Sequence, residues 1–136
     1  MERNIEKEIK ERRKTEENSK NQARAHFDSI VEIVNNLNSE REETREAAEI
    51  IAVENALEVS FRSGWNDDPC NLSAQEFKIL LCTGGPAVRI IGYLEQNEPE
   101  EVKLQHQDWF TPWQDYPLTD EEREILHAYS RQFCFV

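Results

Sequence analysis

The sequence has few of the residues that interrupt regular structure. Its 136 residues include only 4 glycines and 5 prolines, which excludes collagen-like and low-complexity proteins. All of these chain breakers lie beyond residue 59, together with the 3 tryptophans and the 3 cysteines. The first 59 residues are therefore expected to be helical, and the remainder is expected to supply strands and turns.

Long hydrophobic runs are absent as well. Apolar stretches such as Ile50–Val53 and Ile79–Cys82 are far shorter than the roughly 20 residues that cross a bilayer. The first 20 residues are almost entirely charged or polar and contain no apolar signal core. Cys70, Cys82 and Cys134 are odd in number and widely spaced, which argues against a disulfide framework. These features predict a cytoplasmic protein with free thiols.

Positive charge is scarce. The chain has 28 acidic residues against 16 basic ones, for a formal net charge of −12. Such a protein is repelled by nucleic acid and by anionic membrane surfaces, so neither is an expected partner. It can attract a basic protein, although an excess of carboxylates can also serve solubility alone.

Residues 1–20 carry only Ile5 and Ile9 as apolar side chains after Met1. So thin a stripe buries little surface, which predicts a solvated or frayed helical segment. Residues 21–136 are expected to form a single α+β domain. The division between the two is placed at residues 20 and 21.

Residues 21–59 are expected to form a helical hairpin. Its first helix, over residues 23–37, has an apolar face at 3- and 4-residue spacing. Its second helix, over residues 40–58, is predicted to begin with a capping box from Ser39 to Glu42. The alanines of the second helix would allow close approach of its neighbour.

Residues 60–136 are expected to form a three-stranded antiparallel β-meander and a C-terminal helix. The first strand is almost continuously apolar, which predicts burial on both faces. A capping box from Thr119 to Glu122 begins the closing helix, which is expected to pack on one face of the sheet. The strands are predicted over residues 77–82, 88–94 and 102–109, with turns at 83–86 and 96–99.

Residues able to carry chemistry are few. Cys70, Cys82, Cys134, His106 and His127 could donate to a metal, but no C-x-x-C or H-x-x-x-H pair fixes two ligands locally. Neither a metal nor another cofactor is therefore expected. Cys82 could act as a nucleophile with His106 as its base across the sheet. The simpler interpretation is a buried cysteine that ends a strand before a turn.

Aromatic residues cluster in irregular segments. Trp109, Phe110 and Trp113 fall within five residues, close to Asp108 and Asp115. Such a segment can close a small core from below the sheet. It can also form an interface, because tryptophan and other aromatic residues dominate interface hot spots.

Four stretches, which lie between Val59 and Phe135, carry a resemblance. They resemble a group of small phage and prophage proteins, and the segment that contains them covers a little over half of the chain. Members of that group usually have glycine where this chain has Phe110. The resemblance implies an origin in a mobile element, where small acidic proteins often act as anti-defence factors. The stretches are Phe61–Trp65, Glu76–Ile90, Gln107–Trp113 and Tyr129–Phe133.

Charge, size and resemblance together predict a non-enzymatic protein that inhibits a basic, nucleic-acid-handling defence complex of a bacterial host. The type would be anti-CRISPR or antirestriction. The alternatives are a structural or regulatory phage protein that forms a homodimer through its N-terminal helices, and a Cys82–His106 enzyme. Partner contacts are expected from acidic and aromatic residues in or near turns, namely Asp67, Asp68, Glu98, Glu100, Glu101, Asp108, Trp109, Phe110, Trp113 and Asp115.

Overall fold

A computed structural model describes residues 5–65, 74–133 and 135, with the backbone alone for residues 5–18. No helix in these ranges is long and apolar enough to cross a membrane. Two helices precede an antiparallel sheet, and a third helix follows it. In chain order the elements are α1 (Ile5–Leu37), α2 (Glu42–Glu54), β1 (Glu58–Arg62), β2 (Glu76–Cys82), β3 (Ala87–Glu95), β4 (Glu98–Gln107), β5 (Gln114–Asp115) and α3 (Asp120–Ser130).

The five strands pair in chain order, β1-β2-β3-β4-β5. The α+β class is confirmed, but the expected three-stranded meander is only the centre of this larger sheet. β1 and β5 add a strand at each edge. β4 also begins earlier than expected, because Gln96 and Asn97 alone make the turn, both with positive φ (52° and 66°). Two such residues are typical of a type I′ hairpin, whose twist matches the flanking strands.

In the part of the chain that the structure describes, helices cover one face of the sheet and leave the other open. α1 and α3 pack on the covered face and on each other, and both contact β4. Burial therefore alternates along β2, with Lys78 exposed and Leu80 half-buried. The expectation that β2 is buried on both faces was wrong, because nothing in the described part of the chain covers its second face. The fully buried side chains of the core include Phe27, Ile30, Ile79, Val88, Ile90, Leu126, Tyr129 and Phe135.

The apolar stripe of α1 lies against the sheet, as its spacing predicts. The helix continues without interruption across the expected division at residues 20 and 21. Ser19 on one side of that position and Ala23 on the other are both buried. The division therefore corresponds to no break in the structure. Small residues extend the stripe towards the N-terminus in the same 4-residue steps that place Phe27 in the core.

α2 differs from expectation at its start and on its apolar face. Arg41 is its N-cap and makes no side-chain capping bond, so the predicted capping box at Ser39 is wrong. The hydroxyl of Ser39 instead accepts a hydrogen bond from the backbone N–H of Arg41, over 3.2 Å. α2 packs against α1, and Ala48 and Ala52 are its buried residues. Its larger apolar residues are at least half exposed: Ile50 is 61% exposed, Ile51 is 50% exposed and Val53 is 51% exposed.

α3 begins with the predicted capping box. The Thr119 hydroxyl accepts from the backbone N–H of Glu122, and the Glu122 carboxylate accepts from the backbone N–H of Thr119. At the other end of the helix, the Tyr129 hydroxyl donates to the carbonyl of Ala52 over 2.9 Å. It also accepts from the side-chain amide of Asn55. This buried hydroxyl therefore joins α3 to the end of α2.

The two helix starts predict a contrast in stability. Thr119→Ala should lower the free energy of unfolding by about 1 kcal/mol, because it removes a side-chain cap. Ser39→Ala is the matched control and should change it by no more than about 0.5 kcal/mol, because Ser39 caps no helix N–H. Chemical denaturation of both variants measures the difference. Equal losses would contradict the assignment of the caps.

Candidate interaction site

Trp109 and Phe110, here called the aromatic tip, occupy the centre of a tight turn that follows β4. The backbone N–H of Thr111 donates to the carbonyl of Asp108 over 3.2 Å, which closes the turn. The Thr111 hydroxyl donates to the same carbonyl and accepts from the backbone N–H of Asp108. The side chain of Gln107 donates to the carbonyl of Thr111 over 2.7 Å. Four hydrogen bonds therefore fix the base of the tip.

Phe110 has a backbone conformation that its side chain disfavours. Its φ is 64°, at the position where a type II turn requires positive φ and usually contains glycine. A bulky residue in this region costs roughly 1–2 kcal/mol. Its ring is 99% exposed, so burial of the ring recovers none of that cost. Within the fold the ring therefore contributes only a contact with the exposed Trp109 ring.

The two rings of the aromatic tip support each other. Their centroids are 5.8 Å apart at 68°, an edge-to-face pair. Trp109 is 61% exposed and lies beside the β2–β3 turn, where a Cβ on Gly85 would come within 3.5 Å of its indole nitrogen. The tip is thus an exposed apolar projection held between two turns.

A buried hydrogen-bonded cluster anchors the strand end from below. Ser19 of α1 lies between His106 and Asp108, and all three side chains are at most 4% exposed. The Ser19 hydroxyl is 2.7 Å from Asp108 Oδ2 and 2.9 Å from His106 Nδ1. Ser19 was not a predicted site residue, because hydrophobic periodicity does not register a polar residue. Its position could have indicated that it is buried, because it lies four residues before Ala23 on the same face of the helix.

The order of groups in this cluster does not create a nucleophile. In serine hydrolases the histidine lies between serine and aspartate and takes the serine proton. Here Ser19 is the central group: its hydroxyl donates to Asp108 Oδ2 and lies within hydrogen-bond distance of His106 Nδ1. Burial lowers the pKa of His106, an effect that Asp108 opposes and Lys20 reinforces. The cluster thus locks α1 to β4 in one geometry.

The register separates Cys82 from His106. Cys82 pairs with Val88, and Val88 pairs with His106, so β3 lies between them. Two strand spacings put their Cα atoms about 10 Å apart. Burial raises the pKa of the Cys82 thiol, which is the opposite of nucleophile activation. This geometry does not favour the Cys82–His106 enzyme.

Trp113 and Asp115 lie beside the uncovered face of the sheet. The Arg89 guanidinium lies over the half-buried Trp113 ring, 4.0 Å from its centroid. Arg89 also donates to Gln105, and Gln105 donates to Asp115 over 2.8 Å. Asp115 is in addition 3.7 Å from the ammonium of Lys103. These two predicted site residues are therefore engaged with basic neighbours rather than free to meet a basic partner.

Basic residues collect on this uncovered face. Arg62, Lys78, Arg89 and Lys103 come from four successive strands, and the register places all of them on the same side. They surround a shallow depression of about 460 Å³. The same register also places Glu58, Glu76 and Glu101 on this side, so the face is mixed in charge rather than strongly acidic.

The remaining predicted residues divide into three groups. Glu98, Glu100 and Glu101 are exposed at the start of β4, which is about 30 Å long, so they lie far from the aromatic tip. Asp108 is buried and does not present its carboxylate to a partner. Asp67 and Asp68 lie outside the described residues.

Two carboxylates near the start of β4 also repel each other. The charge of Glu95 raises the pKa of Glu100 above its ordinary value. A partner that brings a positive charge to this end of the sheet would relieve that repulsion.

An acidic surface follows α2 and its two ends. Glutamates occupy seven positions between residues 40 and 58, five of them on α2, and all seven are exposed. This segment was expected only to pack as a helix, although its acidity was visible in the sequence. Among the side chains that the structure describes, no three of the His, Cys, Asp and Glu residues converge as a metal site would require.

The Ser19 cluster predicts a large effect from a small substitution. Ser19→Ala should lower the free energy of unfolding by about 1–3 kcal/mol, because it leaves a buried carboxylate without its donor. Ser29→Ala on the same helix is the control, since Ser29 is exposed and bonds only the carbonyl of Ala25. It should change stability by less than about 0.5 kcal/mol. Urea denaturation measures both, and equal effects would refute the anchoring role.

The depressed pKa of His106 predicts a dependence on pH. The unfolded chain binds this proton with a pKa near 6.5, and the folded protein binds it less readily. As far as His106 determines it, the free energy of unfolding therefore has its full value above pH 6.5 and decreases as the pH falls towards the pKa of the folded protein. Unfolding free energy should decrease between pH 7 and pH 5.5.

Burial also lowers the pKa of His26, so this residue contributes to the same slope. His106→Gln should reduce the slope without abolishing it. Denaturation curves at three pH values in this window measure the effect. A parent protein with constant stability, or a slope that His106→Gln leaves unchanged, would contradict the assignment.

Comparisons with protein-family models, curated proteins and solved structures found no match.

Proposed function

We propose that this chain is an acidic, non-enzymatic protein that binds and inhibits a nucleic-acid-handling defence complex of a bacterial host. The aromatic tip is its anchor in the partner. The observation that carries the proposal is Phe110, which is almost fully exposed in a conformation that favours glycine. A large apolar side chain held in this way gains energy only when another molecule covers it.

The negative charge of the chain supports the proposal that its partner is basic. The net charge is −12, and the exposed glutamates of α2 concentrate part of it on one helix. A complex that holds nucleic acid presents lysine and arginine grooves, and carboxylates can occupy the places of phosphates there. The resemblance to phage and prophage proteins supports the choice of a defence complex among the basic partners available in a bacterial cell.

The rigidity of the tip adds to this support. Its base is fixed by the turn hydrogen bonds and by the Ser19 cluster beneath the end of β4. A preorganised projection loses little conformational entropy when it binds, which leaves more of the contact energy for affinity. The Cys82–His106 enzyme has no comparable support in the geometry.

Phe110→Gly separates binding from folding. Glycine relieves the strain of positive φ but adds freedom to the unfolded chain, so the unfolding free energy should stay within about 1 kcal/mol of the parent. Binding should be lost with the ring. The assay is phage plaquing on bacteria that carry a CRISPR or restriction system and express the chain.

The parent protein should raise the plaquing efficiency of a targeted phage in at least one such strain, and Phe110→Gly should not. Tyr93→Ala is the control, because Tyr93 is an exposed aromatic residue (54%) on β3. It should keep the activity. A panel in which the parent never raises plaquing would refute the function, and full activity of Phe110→Gly would refute the role of the tip.

A further inference from the structure

Within the described residues, β1 forms an edge of the sheet that no other element covers. It is the outermost strand, pairs there with β2 alone and is exposed at four of its five positions. Edge strands are usually protected against further pairing by charged side chains, a proline, a bulge or short length. β1 contains no proline, its register with β2 is regular, and its two charges, Glu58 and Arg62, are of opposite sign. Its charges therefore exclude many strands but not one that offers the opposite charge at each end.

The apolar layer of the core reaches this edge and stops there. Val59 pairs with Ile79, and Phe61 pairs with Phe77, all on the helix-covered side. Ile79 and Phe77 are 0% and 3% exposed, whereas Val59 and Phe61 are 36% and 47% exposed. A further strand beside β1 would continue this layer and bury the two exposed side chains.

The sequence of β1 is complementary to itself when reversed. We propose that β1 pairs with β1 of a second copy of this chain, antiparallel and centred on Ser60, to form a homodimer with one continuous sheet. In this register Glu58 faces Arg62 of the second copy on the open side. On the other side, Val59 faces Phe61 of the second copy. Opposite charges and β-branched–aromatic pairs are both favourable cross-strand contacts.

Other registers lose these contacts. A shift of one residue turns the apolar side chains to the open face. A shift of two residues leaves both charges of each strand without an opposite charge across from them, and a parallel arrangement sets like charges beside each other. A two-fold axis through Ser60 makes every contact occur twice, as in an isologous dimer. The pattern therefore selects a second copy over an unrelated partner.

The inference is independent of the proposed function. β1 lies at the opposite edge of the sheet from β5, and the aromatic tip follows β4, three strands away. Dimerisation through β1 does not use the Trp109 and Phe110 side chains. Failure of the dimer would leave the tip untouched, and failure of the tip would leave the dimer untouched.

Charge exchange tests the interface on the full-length chain. Sedimentation velocity should give a species of twice the 16.0 kDa chain mass as concentration rises. Arg62→Glu or Glu58→Arg alone sets like charges opposite each other twice in each dimer. Each variant should raise the dissociation constant at least ~10-fold. An equimolar mixture of the two variants should form heterodimers, because every charge then meets its opposite.

The mixture also controls for folding. Arg62 forms an ion pair with Glu76 within one chain, and Arg62→Glu removes it. Mixing cannot repair a folding defect, so a regained dimer reports the interface. As a second measurement, the β1 amides of the parent protein should exchange hydrogen more slowly at high concentration than at low concentration.

Three outcomes would overturn the proposal. One is a chain that stays monomeric at every concentration, with β1 amides that exchange equally fast throughout. Another is a dimer that both single variants leave intact, which would place the contact elsewhere, such as the exposed isoleucines of α2. The last is a mixture that stays monomeric while both variants are folded by circular dichroism.

Discussion

The rest of this structure depends on the burial of one face of the sheet beneath α1 and α3. The apolar stripe of α1 and the buried side chains of α3 cover β3 and β4, and the core lies in that single layer. Because the second face stays open, each strand can alternate buried apolar residues with exposed polar ones. The charged side chains of the open face are a consequence of this one-sided cover, whereas the incomplete burial of Val59 and Phe61 marks the place where the covered layer ends, at β1.

Periodicity was sufficient to predict the elements that belong to this layer. The face of α1, the three central strands and the capped start of α3 follow from spacing and turn residues that act locally. β1 and β5 escaped a firm prediction because strands of five and two residues contain too little pattern to identify. The double burial expected of β2 failed for a different reason. An apolar strand shows that its faces can be covered, and only the tertiary structure determines how many of them are.

The candidate site was predictable in composition and only partly in arrangement. Trp109 and Phe110 stood out as large aromatics in an irregular segment, and both are exposed. Asp108 looked like their acidic companion but is the interior acceptor of Ser19, a contact between residues 89 positions apart that no local pattern encodes. Glu98, Glu100 and Glu101 shared a turn-like composition with the tip, yet the length of β4 separates them from it. The sequence therefore indicated which residue types lie on the surface, whereas their positions relative to one another depend on the strand register.

The positive φ at residue 110 also bears on how this chain can evolve. At most positions a large side chain is retained because its loss weakens the fold, so selection for stability and selection for function act together. At this turn they act apart, since glycine suits the backbone and the phenylalanine ring touches little of its own protein besides Trp109. A lineage that lost the need for this ring could replace it with glycine without harm to folding. Persistence of phenylalanine here would then record continued use of the ring rather than structural necessity.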